Sequence, residues 1–166
     1  MSLVVLIPDA TPDDGPFTPK GSTHARVVLD DGDLPWPVLS RFLQSVDSSG
    51  DIVDDERGVV AGDLSLSRNT WRFADRSFEV NSYHHSEHDC WCYELYEINR
   101  VDSHNEYLEV RIPDLQPAGG SFAPAAADQV TIRAHGSWPA PWPVFRHFIN
   151  AINSSGDIIE DLPARG

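Results

Sequence analysis

The amino-acid sequence predicts an α+β protein: internally duplicated β-β-α units related by a pseudo-twofold, with two helices packed on a largely antiparallel sheet that a central β-meander extends. Two observations carry this expectation. Residues 3–19 match 108–124 at about half their positions without a gap, and 36–55 match 142–161 equally well. The stretch between the copies alternates apolar and polar residues with the period of a strand. The chain, 1–166, is therefore read as a single domain comprising copy A (3–55), a strand-rich insert (56–107) and copy A′ (108–161).

Both copies have the same grammar. An alternating stretch (Leu3, Val5, Ile7; Leu108, Val110, Ile112) stops at a Pro-Asp pair, which cannot continue a hydrogen-bonded ladder and favours a turn. A glycine-bearing loop follows, anchored by Phe17 or Phe122, and then a second short strand over 25–29 or 129–133. Next comes a helix entered through Trp-Pro, because proline's missing N–H is harmless in a first helical turn. In copy A, Val38, Leu39, Phe42, Leu43 and Val46 fall on one helical face; in copy A′ the face is Val144, Phe145, Phe148, Ile149 and Ile152. Gly50 and Gly156 stand where a left-handed residue ends such a helix, so the repeated Ser-Ser-Gly-Asp is read as a helix cap. A unit of this size buries too little to stand alone, so the two are expected to share one core. The insert reads as strands over 59–67, 70–73, 77–84 and 90–98.

Composition narrows the function classes. The 166 residues carry 26 Asp and Glu against 12 Lys and Arg, a formal net charge of −14. A surface so negative repels nucleic-acid phosphates and anionic lipid, so neither nucleic acid nor membrane is an expected partner. The longest apolar run, Leu3 to Ile7, is too short to span a bilayer, and no basic segment precedes it; a cytoplasmic protein, in a bacterial setting, is expected. Catalytic signatures are missing: there is no Gly-x-Ser-x-Gly elbow, no phosphate-cradling P-loop and no dinucleotide-binding glycine pattern.

The densest array of potential ligands is His84, His85, His88, Cys90 and Cys92, whose nitrogens and sulfurs suit zinc. Cys-Trp-Cys lacks the two-to-four-residue spacing of structural zinc sites, and an exposed hairpin tip bearing two half-buried reduced cysteines is the competing reading. Glu94 would share a sheet face with both cysteines. Asp30, Asp31 and Asp33 superficially resemble a calcium loop but lack its alternating ligands and terminal Glu, so they read as a turn before the helix. Trp138, in a Pro-rich loop, is expected to be an exposed aromatic of the kind that anchors binding interfaces.

These features favour a non-enzymatic acidic binding protein, an immunity protein or inhibitor that neutralises a basic protein partner. Trp138, Asp30, Asp31, Asp33, Asp54 and Asp55 are the candidate contact residues. The alternatives are a metal-binding protein or enzyme built on the His84 to Cys92 hairpin, and a structural component of a phage or secretion system.

Overall fold

Among the described residues, nine strands and two α-helices form an α+β arrangement of two antiparallel sheets with the helices packed against them. The structure, a computed structural model, describes residues 2–13, 15–53, 58–59, 67–98 and 106–160. In chain order the elements are β1 (Leu3–Leu6), β2 (Arg26–Leu29), β3 (Gly32–Pro35), α1 (Trp36–Ser49), β4 (Arg68–Phe73), β5 (Arg76–His85), β6 (Cys90–Glu97), β7 (Tyr107–Pro113), β8 (Thr131–His135), β9 (Trp138–Pro141) and α2 (Trp142–Ser154).

The smaller sheet has the order β1-β2-β9 and the larger β3-β8-β7-β6-β5-β4. The last strand of each β-β-α run therefore leaves its own half: β9 pairs with β2, and β3 with β8. Element for element, β1-β2-β9 has its counterpart in β7-β8-β3. The same offset recurs in the turns, where Asp9 bridges Pro19 and Asp114 bridges Pro124. In both turns the aspartate side chain accepts two backbone N–H groups, Thr11 and Thr18 for Asp9, Gln116 and Ala123 for Asp114. Such a side-chain turn is what a Pro-Asp stop favours.

Two strands stand where the sequence suggests a turn and a Pro-rich loop. Residues 32–35 form β3 and 138–141 form β9, and both are edge strands, where proline is tolerated. The reason lies in the alternation of antiparallel pairs. The Trp142 N–H donates to the Ala25 carbonyl, so the hydrogen-bonded pairs further along are Val27–Ala140 and Leu29–Trp138. Pro139 and Pro141 fall on the intervening pairs, where an N–H would have pointed away from the sheet. Pro35 holds the same position in β3, next to the Trp36 N–H that donates to Val130.

Both helices begin immediately after these prolines and carry a further proline in the first turn. Gly50 ends α1 with φ of 74°, a left-handed conformation that glycine adopts freely. The Ser-Ser-Gly-Asp segments cap both helices: the Ser49 and Ser155 hydroxyls donate to the Val46 and Ile152 carbonyls and accept from the Asp51 and Asp157 N–H groups. In α1 the buried stripe is narrower than the spacing suggests, since Val38 is half exposed while Trp36, Leu39 and Leu43 are buried.

One continuous core joins both halves. It takes Val27 and Leu29 from the small sheet, Phe78, Val80, Leu95, Leu108, Val110 and Ile132 from the large one, and the apolar faces of both helices. Trp71 of β4 sets its ring edge-on to His147 and Phe148 of α2, tying the meander to the second helix. The insert strand expected over 59–67 falls almost wholly outside the described residues.

Candidate functional site

Alternation gives the six-stranded sheet a second face, turned away from the core, on which sequence-distant polar side chains meet. Cross-strand register brings Tyr83 beside Cys92, Cys92 beside Arg111, Glu94 beside Glu109, and Glu109 beside Arg133. At the centre is Glu109, only 2% exposed. Its carboxylate accepts from Arg111 Nε at 2.6 Å and Nη2 at 3.2 Å, lies 2.7 Å from His135 Nε2, and accepts the Cys92 thiol at 3.5 Å. His135 is stacked on Tyr107, with centroids 4.1 Å apart.

Two carboxylates directly opposite on neighbouring strands repel. Here Glu94 and Glu109 are drawn to separate donors: the Tyr83 hydroxyl donates to Glu94 at 2.6 Å, while Arg111 and His135 hold Glu109. A second group lies toward the β4 edge, where Glu79 accepts from Arg68 at 3.0 Å and from the Tyr96 hydroxyl.

The electrostatics follow from these contacts. Burial pushes the Glu109 carboxyl up, but the hydrogen bonds from Arg111 and His135 outweigh it and hold the group below the usual carboxylate range. Glu79 is likewise lowered, burial being outweighed by Tyr96 and Arg68. Tyr83 is pushed up by burial and by Glu94, so it remains a donor. Cys92 is pushed up by burial, by Cys90 and by Glu109, and Cys90 is raised by burial. A nucleophilic cysteine needs a lowered pKa in an electropositive, accessible setting. Cys92, fully buried beside a carboxylate, has the opposite environment. Each carboxylate of the cluster is engaged by this chain's own donors, while His85 Nδ1 and Arg133 Nε are buried on the same face without a hydrogen-bond partner among the described residues.

The five proposed metal ligands do not converge. Adjacent residues on a strand point to opposite faces. His84 therefore stands on the side of Trp91, its Nε2 3.2 Å from Asp114, while His85 faces Cys90. His85 and His88 stack at 4.5 Å, and the Cys90 and Cys92 sulfurs lie 3.5 Å apart and buried. Among the described residues no three His, Cys, Asp or Glu side chains are placed to hold a metal ion. His84 thus falls on the opposite face of the sheet from His85, Cys90 and Cys92.

Trp138 departs further from expectation. It is 3% exposed, opens β9 and packs on Phe78 at 6.1 Å. The turn at Gly136, with φ of 76°, directs it and Ala140 inward, so it offers no exposed aromatic. Asp30 and Asp31 are exposed between β2 and β3, and Asp33, on β3, lies 3.6 Å from Arg133. Asp54 and Asp55 fall outside the described residues.

The Glu109 group was missed by sequence reasoning because its members come from β6, β7 and β8. The available signal was the Glu-Val-Arg alternation of β7, which places two charges on one side of a strand whose other side is Leu108, Val110 and Ile112. A separate cleft of about 760 Å³ lies between α1 and α2, floored by Trp36, Leu43 and Ile149. Arg41, Arg146, Asp128 and Glu160 all line it, so its walls carry both signs of charge.

Fold and site thus define an α+β protein whose larger sheet has one face packed on the core and one polar face. No family model, curated protein or solved structure matches the chain. Among the described residues no helix is long and apolar enough to cross a membrane.

Proposed function

We propose that this protein is a non-enzymatic binder of a basic protein partner, acting in the cytoplasm as an immunity protein or inhibitor that neutralises a cationic protein. The observation that carries the reading is how the charges are distributed. Arg68, Arg76, Arg111, Arg133 and Arg146 each lie within ion-pair distance of an acid on this chain, namely Glu79, Glu97, Glu109, Asp33 and Asp47. Asp13, Asp31, Asp51, Asp75, Glu87 and Asp128 are exposed and have no ion pair among the described residues. Lys20, Arg26, Arg41 and Arg72 are exposed outside these pairs, but the 26 acids outnumber the 12 bases and leave the chain strongly negative. Such a field accelerates encounter with a cation and disfavours nucleic acid and anionic membrane.

The matching element order of the two halves supports a further part of this reading, that the chain holds two copies of one unit. Function then belongs to what the copies do not share.

The test is the product of the gene adjacent to this one, co-expressed and purified with this protein. A basic neighbour that forms a stable 1:1 complex, with association slowed about tenfold at low salt by Asp30→Lys, Asp31→Lys and Asp33→Lys together, is the expected result. An association rate indifferent to these reversals and to salt removes electrostatics from the mechanism, and a neighbour with no affinity removes the proposed partner.

A further inference from the structure

The two halves differ most plainly at one edge. In the six-stranded sheet, β7 is paired on one side with β8 and on the other with β6. Among the described residues its counterpart β1 is paired with β2 alone, and ends the smaller sheet. Where β7 presents Glu109 and Arg111 on the outward face, β1 presents Val4 and Leu6, each 43% exposed.

The register shows which backbone groups face the open side. The Asp30 N–H donates to the Ser2 carbonyl, so the hydrogen-bonded pairs of this ladder continue as Val4–Val28 and Leu6–Arg26. The N–H and C=O groups of Leu3 and Val5 therefore point outward, with no strand beyond them among the described residues. Unpaired edges of this kind are usually blunted by inward charge, proline or a bulge. The other edge of the same sheet, β9, is blunted by Pro139 and Pro141. β1, Leu-Val-Val-Leu, has neither charge nor proline.

Charge surrounds this strand. Asp30, hydrogen-bonded to Ser2, and Asp31 lie at its beginning, and Asp9 and Asp13 follow its end. Arg26, across from Leu6, is the one cation within the three strands of the sheet.

We propose that β1 is a strand-addition site, which accepts an extended segment of the basic partner, apolar at alternate positions and flanked by lysine or arginine. Backbone hydrogen bonds to Leu3 and Val5 hold the added strand, its apolar side chains continue the Val4 and Leu6 face, and the flanking acids select its charge. This rests on the basic-partner reading and assigns it a surface. A second copy of this chain is the less suitable occupant, because each copy brings a net charge of −14.

The probe is the blocked octapeptide of alternating valine and lysine, compared with its valine–glutamate analogue, titrated into the full chain at low salt. The lysine peptide should bind, the glutamate peptide should not, and saturation should slow amide exchange at Leu3 and Val5 at least tenfold while Val4 and Leu6, already bonded to β2, change little. Val5→Pro, which removes an N–H with no partner among the described residues, should weaken binding at least tenfold; Arg26→Glu should tighten it. Unchanged exchange at Leu3 and Val5, with binding still dependent on charge, overturns the strand-addition site and leaves the basic-partner reading standing. Absence of lysine-peptide binding overturns the site as well, while the neighbouring-gene complex judges the wider reading separately. A concentration-dependent dimer that protects Leu3 and Val5 without peptide gives the edge to a second copy and overturns the assignment.

Discussion

Glu109 is the residue on which the polar sheet face turns. It sits at 2% exposure with a guanidinium and an imidazole in hydrogen-bond contact, so deleting the carboxylate strands both partners. Removing one member of a fully buried pair costs about 3–5 kcal/mol. Arg111 and His135 keep about a quarter of their side-chain surface in water, 25% and 23%, which softens the loss. Glu109→Ala is therefore expected to destabilise by about 2 kcal/mol in urea unfolding, and Glu109→Gln, which still accepts a hydrogen bond, by about half that. The cysteines supply an independent check of the same neighbourhood. With both thiols buried and their pKa values raised, Cys90 and Cys92 should resist a thiol reagent at pH 8 in the native protein and both react once it is unfolded. Rapid native labelling of either would show that the face opens.

At the scale of elements, the prolines of β9 make a sharp contrast with their neighbour. Pro139 lies on a pair that exchanges no hydrogen bonds, whereas Ala140 bonds to Val27 and is fully buried. Pro139→Ala should leave the melting temperature within a few degrees, while Ala140→Pro, which deletes a ladder bond and inserts a ring into the core, should cost roughly 3 kcal/mol or more, as misplaced prolines do. Equal effects would mean that the strand is registered otherwise. The helices were legible in the sequence because Trp-Pro entries, apolar spacing and Ser-Ser-Gly-Asp caps are local signals, and the meander because its alternation is local too. β3 and β9 were not, since their prolines and glycine are acceptable only at an edge, and being an edge is a property of the whole sheet. Trp138 was misplaced for the same reason: read as loop, it was given to solvent, and read as strand it alternates into the core. The Glu109 group was hidden by distance along the chain, its contacts spanning 17 residues to Cys92 and 26 to His135.

For the whole molecule two electrostatic effects oppose each other as pH falls. The net charge of −14 repels itself, and that repulsion fades as pH approaches the sequence pI of about 4.6. Meanwhile Glu109, Glu79 and Asp114 have carboxyls held below their ordinary values: in Glu109 and Glu79 burial is outweighed by hydrogen-bonded partners, and in Asp114 backbone N–H donors lead the effect. A carboxyl with a lowered folded-state pKa contributes stability that is fully present above its unfolded value and lost as pH falls through the folded one. These three groups therefore contribute their full stabilisation at pH 7 and withdraw it below about pH 4. The urea midpoint at 10 mM salt should accordingly rise as pH is lowered from 7 to about 5, by less than the relief of self-repulsion alone would give because burial lowers the His147 pKa and its protonation there is unfavourable, then fall steeply below about 4. Salt separates the two causes, because at roughly 0.5 M the screening length shrinks to a few ångströms and exposed charges cease to feel one another. The rise between pH 7 and 5 should then disappear, while the fall below 4 persists, since Arg111 and His135 touch Glu109 directly and salt does not come between them. If salt abolishes the acid limb as well, the carboxylates of the polar face are not what holds the protein together in acid, and the centre of gravity assigned to Glu109 is misplaced.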